Sequence, residues 1–208
     1  MTKTRSSTSQ GDAALAREDE LRAGTWVLLG HLLASEPGGQ VMGLLRQISA
    51  RHRPGEGDAL AEAWASLRKA ADQAEPEALR REYYALFIGM GGGEVTPYAS
   101  WYRTGSLNER PLILLRQDLQ QLGVERQEDN SEPEDHAAAI CDVMALIIQD
   151  PDVSFEWQRE LFQKHVEPWM EQFFADLETA ENADFYRSVG RLGAAFVALE
   201  RAYFAMLT

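Results

Sequence analysis

Four histidines, a single cysteine and one run of glycines are the residues from which this chain could build chemistry, and their spacing limits what that chemistry can be. A carboxylate-bridged metal pair in a helical protein takes Glu-x-x-His on facing helices, because that spacing puts both ligands on one face. None of His31, His52, His136 and His165 has a glutamate three positions earlier, and Glu132 with His136 supplies too few ligands, so no metal site is expected. The run Gly89-Met90-Gly91-Gly92-Gly93 follows a helical pattern rather than a strand, lacks a following Lys-Ser/Thr and leads into Thr96-Pro97. That makes it a poor phosphate cradle and an ordinary turn. No G-x-S-x-G elbow occurs, and Cys141 sits mid-helix on an apolar stripe, where a buried, inert thiol is expected. The sequence argues for neither catalysis nor a cofactor.

Binding chemistry is better represented. One segment runs Tyr83-Tyr84-Ala85-Leu86-Phe87-Ile88-Gly89 and continues, after the glycines, as Val95-Thr96-Pro97-Tyr98-Ala99-Ser100-Trp101-Tyr102. A second reads Glu132-Pro133-Glu134-Asp135-His136. Aromatics of the first can pack the segment against itself, or present a greasy groove. Acids of the second suit the first turn of a helix, whose free N–H groups carry partial positive charge. His136, directly after Glu134 and Asp135, is expected to be drawn toward its charged form or oriented by a neighbouring carboxylate.

These segments must be positioned by helices, because the apolar spacing is helical nearly everywhere. Leu21, Trp26, Leu28, Leu29, Leu32 and Leu33 give a wide apolar face over 17–35, ended by Glu36-Pro37-Gly38-Gly39. A second helix is expected from Gln40 to about His52, stopped by Pro54-Gly55, a third around Leu60, Trp64 and Leu67, and a fourth from Pro76. Between Gly89 and Arg110 no period holds, and the aromatics there point to a packed loop rather than disorder. A helix resumes at Pro111 and ends at Gly123; Ser131 and Glu134 then form an S-x-x-E capping box for the next one, which closes at Asp150-Pro151. Two further helical stretches follow, the first broken by Pro168. The expectation is an all-α fold in one multi-helix domain, 17–123 and 132–208, with a disordered tail over 1–16 and a possible hinge at 124–131.

Twenty basic against 33 acidic side chains give a net charge of −13, which repels phosphate backbones and attracts a cationic peptide. Nucleic acid is therefore not an expected partner. No stretch approaches the roughly 18 apolar residues of a membrane helix, so stable membrane insertion is not expected either. Residues Met1 to Gln10 lack the apolar core of a secretion signal, and a lone cysteine cannot form an internal disulfide; both make the cytoplasm the expected compartment.

The order Y-x-x-L-F-x-G, P-Y-x-S-x-Y and E-P-x-D-H resembles the TorD/DmsD/NarJ family of redox-enzyme maturation chaperones. So does the later run Gln158-x-x-x-Phe162-x-x-His165-x-x-Pro168-Trp169-x-x-x-Phe173 with Phe185-Tyr186, and, more loosely, Trp26-x-Leu28-Leu29-x-x-Leu32-Leu33 with Pro37. The likeness spans about residues 20–207. A glycine-rich 91–93 and Trp101 at a variable position depart from the pattern. What the resemblance implies is a chaperone without enzymatic activity. It would bind the twin-arginine signal peptide of a molybdopterin oxidoreductase and hold the apoenzyme for cofactor insertion before export. Carried onto this sequence, the leader-binding groove falls on Tyr83, Leu86, Phe87, Tyr98, Ser100, Trp101, Tyr102, Asp135 and His136. Physical reasoning adds Glu132 and Glu134: Asp135 with one of these would pair the arginines, while Leu86, Phe87 and Trp101 take the apolar stretch. Two alternatives are a NarJ-like assembly factor for a reductase subunit that is not exported and a nucleotide-binding helical protein. The chain is expected to be a monomer or, through the hinge, a domain-swapped dimer.

Overall fold

The computed structural model of the chain describes residues 6–48, 59–124 and 132–206. Helix α1 spans Ser6–Ala34, α2 Gly39–Gln47, α3 Ala59–Gln73 and α4 Pro76–Tyr83. Helix α4 passes into a π-helical turn at Tyr84–Ile88 and then into a single α-helical turn, α5, at Gly89–Gly92. After a short loop come α6 (Ala99–Thr104), α7 (Arg110–Gln121), α8 (Ala137–Gln149) and α9 (Phe155–Leu161). A second π turn at Phe162–Val166 leads to α10 (Met170–Thr179) and α11 (Phe185–Met206). Among the described residues the only extended pairing is an isolated antiparallel bridge between Tyr98 and His136, so the fold is all-α.

The helices stack by burying their apolar stripes. Helix α1 lies chiefly on α8, α11 on α10 and α3, and α2 on α3. Helix α8 carries the densest apolar run, and Ala137, Ile140, Cys141, Met144 and Ile147 are all inaccessible or nearly so. Trp26 from α1, Trp169, Phe173 and Phe174 beside or within α10, and Tyr186 and Phe196 from α11 fill the same core. One core therefore draws on helices from both sides of 125–131. Cys141 is buried as expected, and burial pushes its thiol well up.

Several local expectations are corrected. Helix α1 begins at Ser6 rather than near 17, because Ala13, Ala14 and Ala16 favour helix and no proline interrupts them. Leu21 lies outside the apolar stripe of α1, 67% exposed. The aperiodic stretch 89–110 contains α5 and α6, turns too short to show a period. Helix α8 starts at Ala137 with His136 as its N-cap, so Glu132, Glu134 and Asp135 precede the helix instead of forming its first turn. The second helix ends at Gln47, with Ile48 as its C-cap, rather than near His52; Pro54-Gly55, Ser131 and the rest of the expected hinge from 125 lie outside the described residues. Pro168 does split the helix, between the second π turn and α10. No helix of the described residues is long and apolar enough to cross a membrane.

Candidate functional site

The first π turn sets up the site. A π turn widens the helix by one residue and leaves carbonyls that the next segment must satisfy. Here Glu94 and Val95 donate their N–H groups to the carbonyls of Ala85 and Leu86, at 3.1 and 2.9 Å. The chain can fold back this closely only because of Gly93. Its φ is +74°, and a Cβ there would stand 2.6 Å from the Leu86 oxygen and 2.7 Å from the Phe87 carbonyl carbon. At Gly93 backbone thus packs directly on backbone.

The chain then crosses to the segment before α8. Ala137 donates to the Pro97 carbonyl at 2.8 Å and Ala99 to the Asp135 carbonyl at 2.9 Å, enclosing the Tyr98–His136 bridge. These crossings, α4 with its π turn, the end of α1 and the first turns of α8 enclose a cleft of about 540 Å³. Tyr83, Tyr84, Phe87 and Tyr98 give it aromatic walls, and Glu36, Glu132 and Asp142 bring three acids into its lining, with Arg80 as the one base among the described residues. Arg80 itself pairs with Glu77.

Of the expected site residues, five line this cleft: Tyr83, Phe87, Tyr98, Glu132 and His136. Tyr83 donates to the Leu33 carbonyl and stacks obliquely on Phe87, ring centres 5.1 Å apart. The Tyr98 hydroxyl donates to Glu132 Oε2 at 2.5 Å, and its ring meets the His136 ring edge-on at 5.0 Å. Burial first, and then Glu132, push the Tyr98 phenol far up, so it stays a donor. His136 caps α8 by accepting the Ala138 N–H at Nδ1, 3.1 Å away, which leaves its proton on Nε2.

The expected charging of His136 is corrected. Its ring is only 8% exposed, and burial lowers its pKa although Glu132 and Asp135 pull the other way. The neutral form is the one the cap requires.

The other six residues go elsewhere. Leu86 is fully buried in the core. Tyr102 packs on Trp169 and Phe173 and donates to Asp176 at 2.8 Å, away from the cleft. Trp101 stands on α6, 45% exposed, and does not line the cleft. Glu134 accepts both Nε and Nη2 of Arg116, at 2.9 and 2.7 Å. Asp135 is 1% exposed and accepts the Ser100 amide and hydroxyl on one oxygen, so the expected pairing of Asp135 with arginines of a ligand is corrected. Ser100 is buried with it. In their place the cleft takes Glu36, Tyr84, Ile88 and Asp142, which sequence reasoning passed over. Asp142 left a usable signal, as the one acid inside the apolar run of α8; burial raises its carboxyl pKa, against the pull of His31. Among the described residues no group of three or more His, Cys, Asp or Glu is arranged to hold a metal.

A family profile described as nitrate reductase delta subunit matches residues 54–175. The chaperone protein TorD of Vibrio parahaemolyticus is 28% identical over 136 residues, covering 60% of this chain and 63% of that protein. A Haemophilus influenzae protein named for the Tat proofreading chaperone DmsD is 29% identical over 117 residues, covering 55% of this chain and 56% of its own length. The match thus spans less than two thirds of either relative, and both are named as chaperones rather than enzymes. A crystal structure from Archaeoglobus fulgidus, assigned to redox enzyme maturation, superposes with a TM-score of 0.57 over 86% of this chain and 93% of that one, at 20% identity, which bears on the fold alone. The profile covers more than half of the sequence, and with it the π turn, the crossings and the cleft's acids from Glu132 to Asp142: the chain belongs to the nitrate reductase delta subunit family, the group of the TorD and NarJ chaperones.

Proposed function

We propose that the protein is a cytoplasmic chaperone that binds the twin-arginine signal peptide of a molybdopterin oxidoreductase subunit and holds the apoenzyme for cofactor insertion before export. The observation that carries this reading is the composition of the cleft, whose described lining sets three acids, Glu36, Glu132 and Asp142, among aromatic walls with a single base, Arg80, already paired to Glu77. A guanidinium pairs with carboxylates and stacks on aromatic faces, and an apolar helix beside it needs anchors of the Tyr and Phe kind. Glu132, held by Tyr98, with Asp142 and Glu36 then receive the arginines, while Phe87, Tyr84 and Ile88 take the apolar stretch. TorD and DmsD names among the relatives support the same class of partner.

Calorimetric titration of a synthetic twin-arginine leader peptide tests it. Glu132→Gln with Asp142→Asn should weaken binding by at least about tenfold, as expected for losing charge-assisted hydrogen bonds worth roughly 1.5–3 kcal/mol each. Lysine in place of both leader arginines should weaken it similarly. Unchanged affinity in both experiments would remove the site. The profile's description favours a second reading, an assembly factor for a reductase subunit that is not exported. Such a protein binds the subunit whether or not the arginines are present.

A further inference from the structure

Resting on that reading of the cleft, we propose that Asp135 is a positioning residue that builds the leader site without touching the leader. Its carboxylate is 1% exposed and points at Ser100, which is fully buried. Oδ2 accepts the Ser100 amide at 2.9 Å and its hydroxyl at 2.5 Å, while Ser100 Oγ in turn accepts the Glu109 amide at 3.2 Å. An arginine could reach this carboxylate only by displacing the first turn of α6.

What the carboxylate does is hold two segments together that lie 35 residues apart in sequence. The Ser100 pair closes one end of a short ladder, Ala99 to Asp135 and Ala137 to Pro97 form its rungs, and Tyr98 and His136 stand opposite each other between them. With the ladder in place, Tyr98 points its hydroxyl at Glu132, and His136 caps α8. Without it, two cleft residues lose their fixed backbone and Glu132 loses the phenol that orients it. The acid of the E-P-x-D-H segment that comes nearest a cationic ligand is then Glu132, and Asp135 acts through its neighbours.

Charge and position can be separated, because the required feature is an acceptor rather than an anion. Among the described residues Asp135 Oδ1 has no hydrogen-bond partner, so an asparagine keeps both bonds to Ser100 through its carbonyl oxygen while it loses the charge and sets its amide NH2 in the place of Oδ1. In the full chain, Asp135→Ala should lower affinity for the leader peptide at least tenfold and speed hydrogen exchange at the Ala99, Ser100 and Ala137 amides by a similar factor. Asp135→Asn should recover most of both losses. If Asp135→Ala does not fold, Ser100→Ala serves instead: it leaves the carboxylate in place, and should still loosen these amides and weaken binding. Equal loss of binding in Asp135→Asn and Asp135→Ala with those amides still protected would overturn the proposal, as would full affinity in Ser100→Ala with those amides loosened. Should the wild-type chain ignore the leader altogether, the leader reading fails, while the exchange measurements still decide whether Asp135 orders this segment.

Discussion

His136 and His165 enter the interior from opposite ends of the 132–169 stretch and share one electrostatic consequence. His136 is 8% exposed and His165 3%, the latter with Nε2 only 2.7 Å from Asp118 Oδ2. Burial lowers the pKa of both; Asp118 pulls His165 back part of the way, as Glu132 and Asp135 do for His136. A histidine whose folded pKa lies below its unfolded value, about 6.5, holds fewer protons when folded. Its contribution to stability is therefore complete above that value and is lost as pH falls through the folded pKa. The thermal midpoint should drop as the buffer is taken from about pH 7.5 to 5.5. His136→Asn keeps an N-cap acceptor and should flatten part of that slope. Subtracting the two curves removes the opposite effect of Glu82 and Asp142, whose raised pKa values favour the folded state on acidification. An identical slope in wild type and variant would mean that His136 titrates normally in the fold.

Helix α11 shows how an element is held at its start and along its length. Glu82, from α4, accepts the amides of Asp184 and Tyr186 at 2.7 Å each and of Phe185 at 3.2 Å, so a carboxylate from 102 to 104 residues earlier terminates this helix. Along its length α11 approaches α10 through glycines. A Cβ on Gly190 would lie 2.6 Å from the Phe174 oxygen and the Glu178 nitrogen, and one on Gly193 would lie 2.3 Å from the Phe174 ring. The helix gives up the propensity advantage of alanine here for close packing. Gly190→Ala should therefore destabilise by about 1–3 kcal/mol, read as a lower urea midpoint at unchanged slope, instead of stabilising as alanine does at an exposed helical position. The same reasoning explains why the sequence pattern missed α5 and α6: their few residues are set by the Gly93 fold-back and the Asp135 ladder, not by an amphipathic stripe.

Across the whole molecule, the first helix is tied to the last by a buried ion pair. Arg22 donates to both Glu200 oxygens at 2.7 and 3.0 Å, Trp26 Nε1 adds a third bond to Glu200 at 3.1 Å, and the guanidinium lies 4.2 Å from the centre of the Tyr203 ring. Arg22 is 4% exposed and Glu200 not at all. Removing Glu200 leaves Arg22 only the half-exposed Asp19, 2.8 Å away, as an ion-pair partner, so Glu200→Ala should cost about 2–4 kcal/mol in chemical denaturation, whereas replacing Arg22 and Glu200 together with Met and Leu should recover most of it. If the single and double variants are equally unstable, the pair matters for its shape and not for its charge. Because α1 also covers α8 and ends beside the cleft at Ala34, this clamp fixes one wall of the site from a distance.

Helical class, the main helix positions and the two segments that meet at the site were legible in the chain itself. A 3.6-residue stripe, proline and glycine stops and a cluster of aromatics are local signals, and the helices of the core obey them. Periodicity assigns a face to each helix but not the neighbour that face meets. It could not show that Glu36 and Asp142 join Glu132, or that Leu86 and Tyr102 turn into the core while Phe87 and Tyr98 remain in the cleft. For the acids the reason is sharper. Glu132, Glu134 and Asp135 look alike in sequence, and only long-range hydrogen bonds separate them: Tyr98 holds the first in the cleft, Arg116 pairs the second, and Ser100 draws the third inside.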